Sequence, residues 1–194
     1  MDWFSSDWHL GHDNIRKICE RPFSSVEEMD EVIVSRMLDT MQKGDTLYFL
    51  GDLSFSQESA KKALEALRKK EIFFIWIVGN HDHHCNPSSL KDLYNDFQTS
   101  IVYKNREENI LIHLNHFPMR VWQQSFRNSF HLYGHVHRTS PELNFLEQPP
   151  YGKSLNVNVE FHNYYPYSLD EIIEIMKNKP DNEDYKLLLR RKSI

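Results

Sequence analysis

Five short apolar runs in this chain stop abruptly, and each stops at a small knot of aspartate, asparagine, histidine, glycine or serine. The knots are Ser6-Asp7-Trp8-His9, Gly51-Asp52, Gly79-Asn80-His81-Asp82, Asn115-His116-Phe117-Pro118 and Gly134-His135-Val136-His137. The runs leading into them, Trp3 to Ser6, Thr46 to Leu50, Ile72 to Val78, Ile110 to Leu114 and Phe130 to Tyr133, have the length and composition of strands. Amphipathic helical patterns alternate with the runs, which is the signature of an α/β layered fold. In open α/β sheets the carboxyl ends of neighbouring strands form the crevice where ligands sit, so five knots can converge on one site.

Caps and periods place the other elements. Ser25 with Glu28 reads as a capping box ahead of Val26, Met29, Ile33 and Met37 at helical spacing. Leu90, Leu93, Tyr94 and Phe97 repeat that pattern behind Ser88 and Ser89, which predicts a second helix. Leu155, Val157, Val159 and Phe161 alternate strictly and predict one half-buried strand. Ser168 with Glu171 then caps a helix whose stripe is Leu169, Ile172, Ile173 and Met176. Without repeats, low-complexity stretches or a Pro/Gly-rich linker, residues 1–194 read as a single domain ending in a charged segment, 181–194. Within it, Lys186 to Lys192 reads as amphipathic surface rather than a nucleic-acid arm.

With 194 residues, 40% hydrophobic and 26% charged, the chain can fill one core and is not a disordered polymer. Its two cysteines, Cys19 and Cys85, argue against a disulfide scaffold and against a zinc-thiolate site. Acidic residues outnumber basic ones 28 to 23, a net charge of −5 that disfavours long duplex nucleic acid as a partner. The longest apolar stretch, Ile72 to Val78, is too short for a membrane span, and the first residues lack the basic flank and apolar run of a signal peptide. A cytoplasmic location is the expectation.

The knots hold two carboxylates, several imidazoles and one carboxamide, a mixed N/O donor set that suits Mn, Fe, Zn or Ni better than Mg or Ca. In extended chain, residues two apart point the same way, so Asp7 with His9, and His135 with His137, can each offer two donors to one crevice. Seven donors exceed the needs of one structural zinc site. Two ions roughly 3.5 to 4 Å apart, sharing a bridging carboxylate, would use them all. Two divalent cations less the charges of Asp7 and Asp52 leave a cationic centre that attracts phosphoryl oxygens. Such a site lowers the pKa of a bound water and needs a separate acid for the leaving oxygen, for which His81 has the right chemistry and place.

In this order the knots resemble the motifs of the calcineurin-like metallophosphoesterase family: D-x-H, GD, GN-H-D/E, a lone His after a strand, and GH-x-H. Ser6-Asp7-Trp8-His9-Leu10-Gly11-His12, Arg21-Pro22-Phe23 and Leu155-Asn156-Val157 are similar to its small single-domain bacterial and phage phosphoesterases. The resemblance implies a four-layer α-β-β-α sandwich. It implies that Asp7, His9 and His137 hold one metal, that Asn80, His116 and His135 hold the other, and that Asp52 bridges them. His81 would be the general acid or a transition-state stabiliser. Leu53-Ser54-Phe55 follows Asp52 where the protein Ser/Thr phosphatase branch has Asp-Arg-Gly, which argues against a phosphoprotein role.

Plainer readings stand beside these. Asp7 and Asp52 could be turn residues and Asn80 a helix cap. His113 competes with His116, which is preferred because Pro118 must break the strand just beyond it. His83 and His84 read as loop histidines. His12, close behind Asp7 and His9, and Arg120, a potential phosphate clamp, are candidate substrate contacts. Nothing in sequence activates Cys85 as a nucleophile. The tryptophans read as packing, with Trp8 and Trp122 at the rim as an alternative. The expected activity is hydrolysis of a small phosphodiester, nucleotide or nucleic-acid end by metal-bound hydroxide, with two divalent ions, Mn favoured over Fe, Ni or Zn. The alternatives are a phosphomonoesterase of the same fold and a non-catalytic metal-dependent interaction scaffold.

Overall fold

The computed structural model describes residues 1–141 and 152–179, so the charged segment 181–194 lies outside the described residues. Strands β1 (Asp2–Ser5), β2 (Thr46–Phe49), β3 (Phe73–Ile77) and β4 (Asp96–Gln98) run parallel in the order β4-β3-β2-β1. Strands β5 (Ser100–Asn105), β6 (Ile110–Asn115), β7 (Phe130–Tyr133) and β8 (Ser154–Asn156) form a second sheet in chain order. Only the β5–β6 pair of that sheet is antiparallel. A short β9 (Tyr167–Ser168) closes the first sheet antiparallel to β1. Two sheets flanked by helices are the architecture expected of the chain.

Alternation along the strands decides which face each side chain covers. Leu47, Phe49, Phe74 and Trp76 point outward from the first sheet to a core shared with helices α2 (Val26–Thr40) and α3 (Gln57–Lys69). Phe4, Leu50 and Ile77 point inward against Ile110, Ile112, Leu114, Phe130 and Leu132 of the second sheet. A short α1 (Asp13–Ile18) precedes α2, and α4 (Leu169–Lys177) sends Ile172, Ile173 and Met176 into the inter-sheet core. Trp8 is 0% exposed and Trp122 6%, so packing, not the rim, is where both belong.

The helix starts follow their caps. Ser168 Oγ accepts the Glu171 N–H at 3.2 Å and Glu171 returns a carboxylate to the Ser168 N–H at 2.8 Å, closing the expected box. At α2, Ser25 Oγ accepts the Glu28 N–H at 3.2 Å, but the Glu28 carboxylate takes the N–H of Ser24, so only half of that box forms. Helix α3, not among the expected elements, buries Ala60, Ala63, Leu64 and Leu67 at helical spacing behind a Ser56 cap.

Two expected elements do not form. After a 3-10 turn at Pro87–Leu90, the segment containing Leu93, Tyr94 and Phe97 leads into β4 instead of a helix. The exposed edge of β3 takes it: Asn95 Oδ1 accepts the Phe74 N–H at 2.7 Å, and Phe97 packs edge-on to Trp76 at 5.3 Å. The alternating stretch Leu155 to Phe161 also stops being a strand after Asn156 and turns into a 3-10 helix at Val159–Phe161. Asn156 Oδ1 accepts the Asn158 N–H and Asn158 Oδ1 the Glu160 N–H, each at 3.0 Å, and these local bonds outcompete the ladder. Among the described residues no helix is long and apolar enough to cross a membrane.

Candidate metal centre

The parallel strands β1, β2 and β3 all release their chains at one edge of the first sheet, and β6, β7 and β8 release theirs at one edge of the second. Backbone bonds stitch the loops that follow. The Asp7 N–H donates to Gly51 O, the His9 N–H to Asp52 O, the Gly134 N–H to His116 O, and the Val159 N–H to Ser6 O across the two sheets. The approach is so close that only glycine fits at two points. A Cβ on Gly79 would lie 2.2 Å from Asp52 Oδ1, and one on Gly134 would lie 2.4 Å from Asp7 Oδ2.

Two groups of donors result. One ligand atom each from Asp7, His9 and His137 lies within 4.8 Å of the other two, and the same holds for Asp52, His116 and His135. Asp52 Oδ2 stands between the groups, 3.6 Å from His9 Nε2 and 3.4 Å from His116 Nε2. The Asn80 carboxamide oxygen joins the second group, 2.9 Å from His116 Nε2 and 3.0 Å from His135 Nδ1. His9 is 2% exposed, yet neither of its ring nitrogens has a hydrogen-bond partner among the described residues. Burying such a group unpaired costs about 1–3 kcal/mol, so a buried imidazole aimed at two carboxylates fits a cation between them. The nitrogen and oxygen donors fit divalent transition ions.

Four of the donors, Asp7, His9, Asp52 and His135, sit in the left-handed backbone region at φ of 58°, 52°, 61° and 66°. Non-glycine residues are uncommon there, and such strain gathers at functional sites. Electrostatics match the crowding. Burial pushes the Asp7 carboxyl up, but His9, His116 and His137 outweigh it and hold it down to about 2. Burial pulls His9 down to about 4 despite Asp7 and Asp52. Burial also opposes charge on His116, but Asp52 and Asp7 hold it up to about 9.

The strand-end knots alone missed two supporting residues. The Glu160 carboxylate accepts from His137 Nδ1 at 2.8 Å, which leaves Nε2 facing Asp7 at 3.8 Å. Arg21, wholly buried, binds Glu160 through Nε at 2.9 Å and also donates to the backbone oxygens of Trp8 and Asp7, each at 2.8 Å. Burial works against the Glu160 anion, but His137 and Arg21 hold its pKa down to about 2. A carboxylate on the far nitrogen of a metal-binding histidine fixes its tautomer and ring orientation. The Glu160 knot, Asn156-Val157-Asn158-Val159-Glu160, is a sixth polar strand end, and Asn156 with Asn158 was its visible signal. Cys19 lies beside His137 and Glu160 on the same side.

The remaining candidates divide. His81 is half-buried; its ring lies 5.7 Å from that of His9, and its backbone N–H donates to Asp52 Oδ1 at 2.8 Å. Asp82 does not face the donors but accepts from the N–H groups of Leu53 and Gly79 and from the Trp76 indole, bracing the loop. His12 stacks on Phe55 at 3.9 Å and reaches His9 at 6.0 Å. His84 stacks on the same Phe55 at 4.3 Å, with His83 4.0 Å beyond it. His113 is in register with His131 on the outer face of the second sheet, so His116 and not His113 reaches the donors. Arg120 is exposed and forms no hydrogen bond or ion pair with any of these residues. Burial raises the Cys85 thiol to about 12, consistent with an inert core cysteine.

Known proteins place this geometry in a lineage. An uncharacterized protein of Methanocaldococcus jannaschii, MJ1445, is 34% identical over 176 residues, 89% of each chain. The gene 66 protein of Mycobacterium phage L5 is 34% identical over 88 residues, 41% of this chain and 39% of its own length. Among solved structures, a protein of unknown function from Aquifex aeolicus, AQ665, superposes with a TM-score of 0.69 at 24% identity, covering 90% of this chain and 98% of that one, a likeness of fold. The family model described as calcineurin-like phosphoesterase matches residues 3–189, a span that takes in every donor named above. On that match, the chain belongs to the calcineurin-like phosphoesterase family.

Proposed function

We propose that the chain is a hydrolase that cleaves small phosphodiesters, nucleotides or nucleic-acid ends with two divalent ions, manganese favoured. The observation that carries this reading is the position of Asp52 Oδ2, within 3.6 Å of His9 Nε2 and 3.4 Å of His116 Nε2, as one oxygen shared between two donor groups needs to be. Asp7, His9 and His137 would hold one ion, Asn80, His116 and His135 the other, and Asp52 both. When bound, the ions supply Lewis-acid stabilisation of the phosphoryl oxygens and a water of lowered pKa as nucleophile.

The chain's own residues do the rest. Asp52 takes the His81 N–H on one oxygen and faces His9 and His116 with the other, so the loop carrying His81 is fixed relative to both groups. His81, with its ring half-open to solvent beside His9, holds the proton that the leaving oxygen takes as its bond to phosphorus breaks. Asn80 is exposed and His135 half-exposed, so the second group opens to solvent and a substituted phosphate can enter. That openness favours a diester over a reading that needs the site closed around a monoester.

The test is reconstitution. Protein stripped by a chelator and resupplied with Mn, Ni, Zn or Mg is assayed on bis- and mono-p-nitrophenyl phosphate and on 2′,3′-cyclic nucleotides. Diester turnover faster than monoester turnover is expected, and no turnover with any metal sinks the reading. Asp52→Asn should lower the rate by roughly 10³-fold, the several kcal/mol that such ions supply. Full activity and full metal content in that variant would remove the shared role.

A further inference from the structure

One exposed apolar side chain touches the donor set itself. Phe117 is 45% exposed, and its ring centroid lies 4.7 Å from that of His135 and 5.0 Å from that of His116. The other exposed large aromatics among the described residues, Phe73, Phe97 and Tyr165, have no such contact. Phe117 opens a short segment, Phe117-Pro118-Met119-Arg120-Val121, whose Arg120 is exposed without an ion pair among the described residues and whose Val121 is 73% exposed.

This segment is firmly rooted. The Phe117 N–H donates to Asn115 Oδ1 at 2.8 Å. The Met119 N–H donates to Nε2 of the fully buried His131 at 3.0 Å, and His131 Nδ1 in turn donates to His113 O at 3.0 Å. Just beyond, the Trp122 indole donates to Ser129 Oγ at 2.9 Å. The backbone is pinned from below while its upper face shows water an aromatic ring, a guanidinium and an aliphatic group. That combination suits a planar π-system attached to a phosphate, with a further phosphate in reach of a cation.

We propose that Phe117 is a specificity-determining residue, the stacking platform for the base of a nucleoside esterified to the phosphate that the two donor groups bind. The inference rests on the phosphodiesterase reading above. Phe117 borders both His116 and His135, so the substituent of a phosphate held there would lie beside its exposed ring. Stacking of a base on an aromatic side chain is sequence-tolerant, because every base offers a π-face, and truncation of such a platform costs roughly 10- to 100-fold in affinity.

Two substrates with the same leaving group separate this idea from its parent. They are thymidine 5′-(p-nitrophenyl phosphate) and methyl p-nitrophenyl phosphate, compared by kcat/KM on Mn-loaded protein. The wild type should prefer the nucleoside ester; Phe117→Ala should reduce that ratio about 10- to 100-fold through KM, and Phe117→Trp should retain it. Equilibrium binding of thymidine 5′-monophosphate by calorimetry should weaken in parallel, with metal content of each variant measured alongside. Turnover of both esters without preference, or a ratio untouched by Phe117→Ala, overturns the platform while leaving the phosphodiesterase standing. Hydrolysis of neither ester with any metal overturns both.

Discussion

Around Asp7, His9 and His137 the supporting side chains are buried and ionic, whereas the rings of His116 and His135 lean on a neutral carbonyl and a neutral carboxamide. Arg21 and Glu160 brace the first group from within the protein, one clamping the carbonyls of Asp7 and Trp8 and the other fixing His137. In the second group His116 leans on the Leu50 carbonyl at 2.7 Å, and His135 shares with it the exposed carboxamide of Asn80. Bonds to buried charged partners position a ligand more tightly than bonds to a neutral amide at the surface. On the proposed two-ion reading the contrast gives them different tasks: a preformed half that would retain its ion, and an open half, bordered by Phe117, that would meet the substrate.

Four measurements sharpen or break that contrast. The largest effect belongs to His81, the proposed proton donor beside His9: His81→Ala should reduce kcat about 10²- to 10⁴-fold on a diester with an alkyl leaving group. Metal content should stay at the wild-type level; an unchanged rate removes the assignment. Next, Glu160→Gln should weaken binding of one ion by about 10- to 100-fold and leave the other nearly as before. Graded chelation followed by metal analysis reads this directly. Wild-type protein should surrender one equivalent first and the second only at higher chelator, and the variant should narrow the gap. A single step in the wild type would mean that the two halves are equally braced.

A smaller effect is structural. Gly134→Ala places a methyl where Asp7 Oδ2 and Ser6 Oγ now lie, so the loop must shift at a cost of about 1–3 kcal/mol in chemical denaturation. The smallest concerns Asp30, whose carboxylate accepts the Gly11 N–H just beyond His9. Burial raises its pKa from 3.8 to about 6. A raised carboxyl disfavours the charged form in the folded chain, so its contribution to stability grows as pH falls from 6 toward 3.8. The difference between wild type and Asp30→Asn, from urea midpoints across that window, should change by that trend; a flat difference would show that Asp30 is solvated.

How much of this was readable from the chain follows from the range of each interaction. The donors lie beside their strands in sequence, so apolar run plus polar knot announced Asp7, His9, Asp52, Asn80, His116, His135 and His137 as a set, and the strand break at Pro118 favoured His116 over His113. Arg21 and Glu160 meet across 139 residues, and no local period encodes that. The alternation of Leu155 to Phe161 misled for a related reason: both valines are buried as a strand would bury them, but Asn156 and Asn158 turn the backbone so that Glu160 reaches His137. The helical spacing of Leu90 to Phe97 lost to a sheet edge that only the assembled fold creates.

The left-handed backbone at Asp7, His9, Asp52 and His135 bears on how this centre can evolve. At those positions any replacement must satisfy two filters, coordination chemistry and a conformation that aspartate, asparagine and histidine tolerate far better than β-branched side chains do. Drift toward a different metal is therefore channelled to the donors in ordinary backbone, His116, His137 and Asn80. A selection for altered metal preference should recover its variants there, and the four twisted positions should stay as they are.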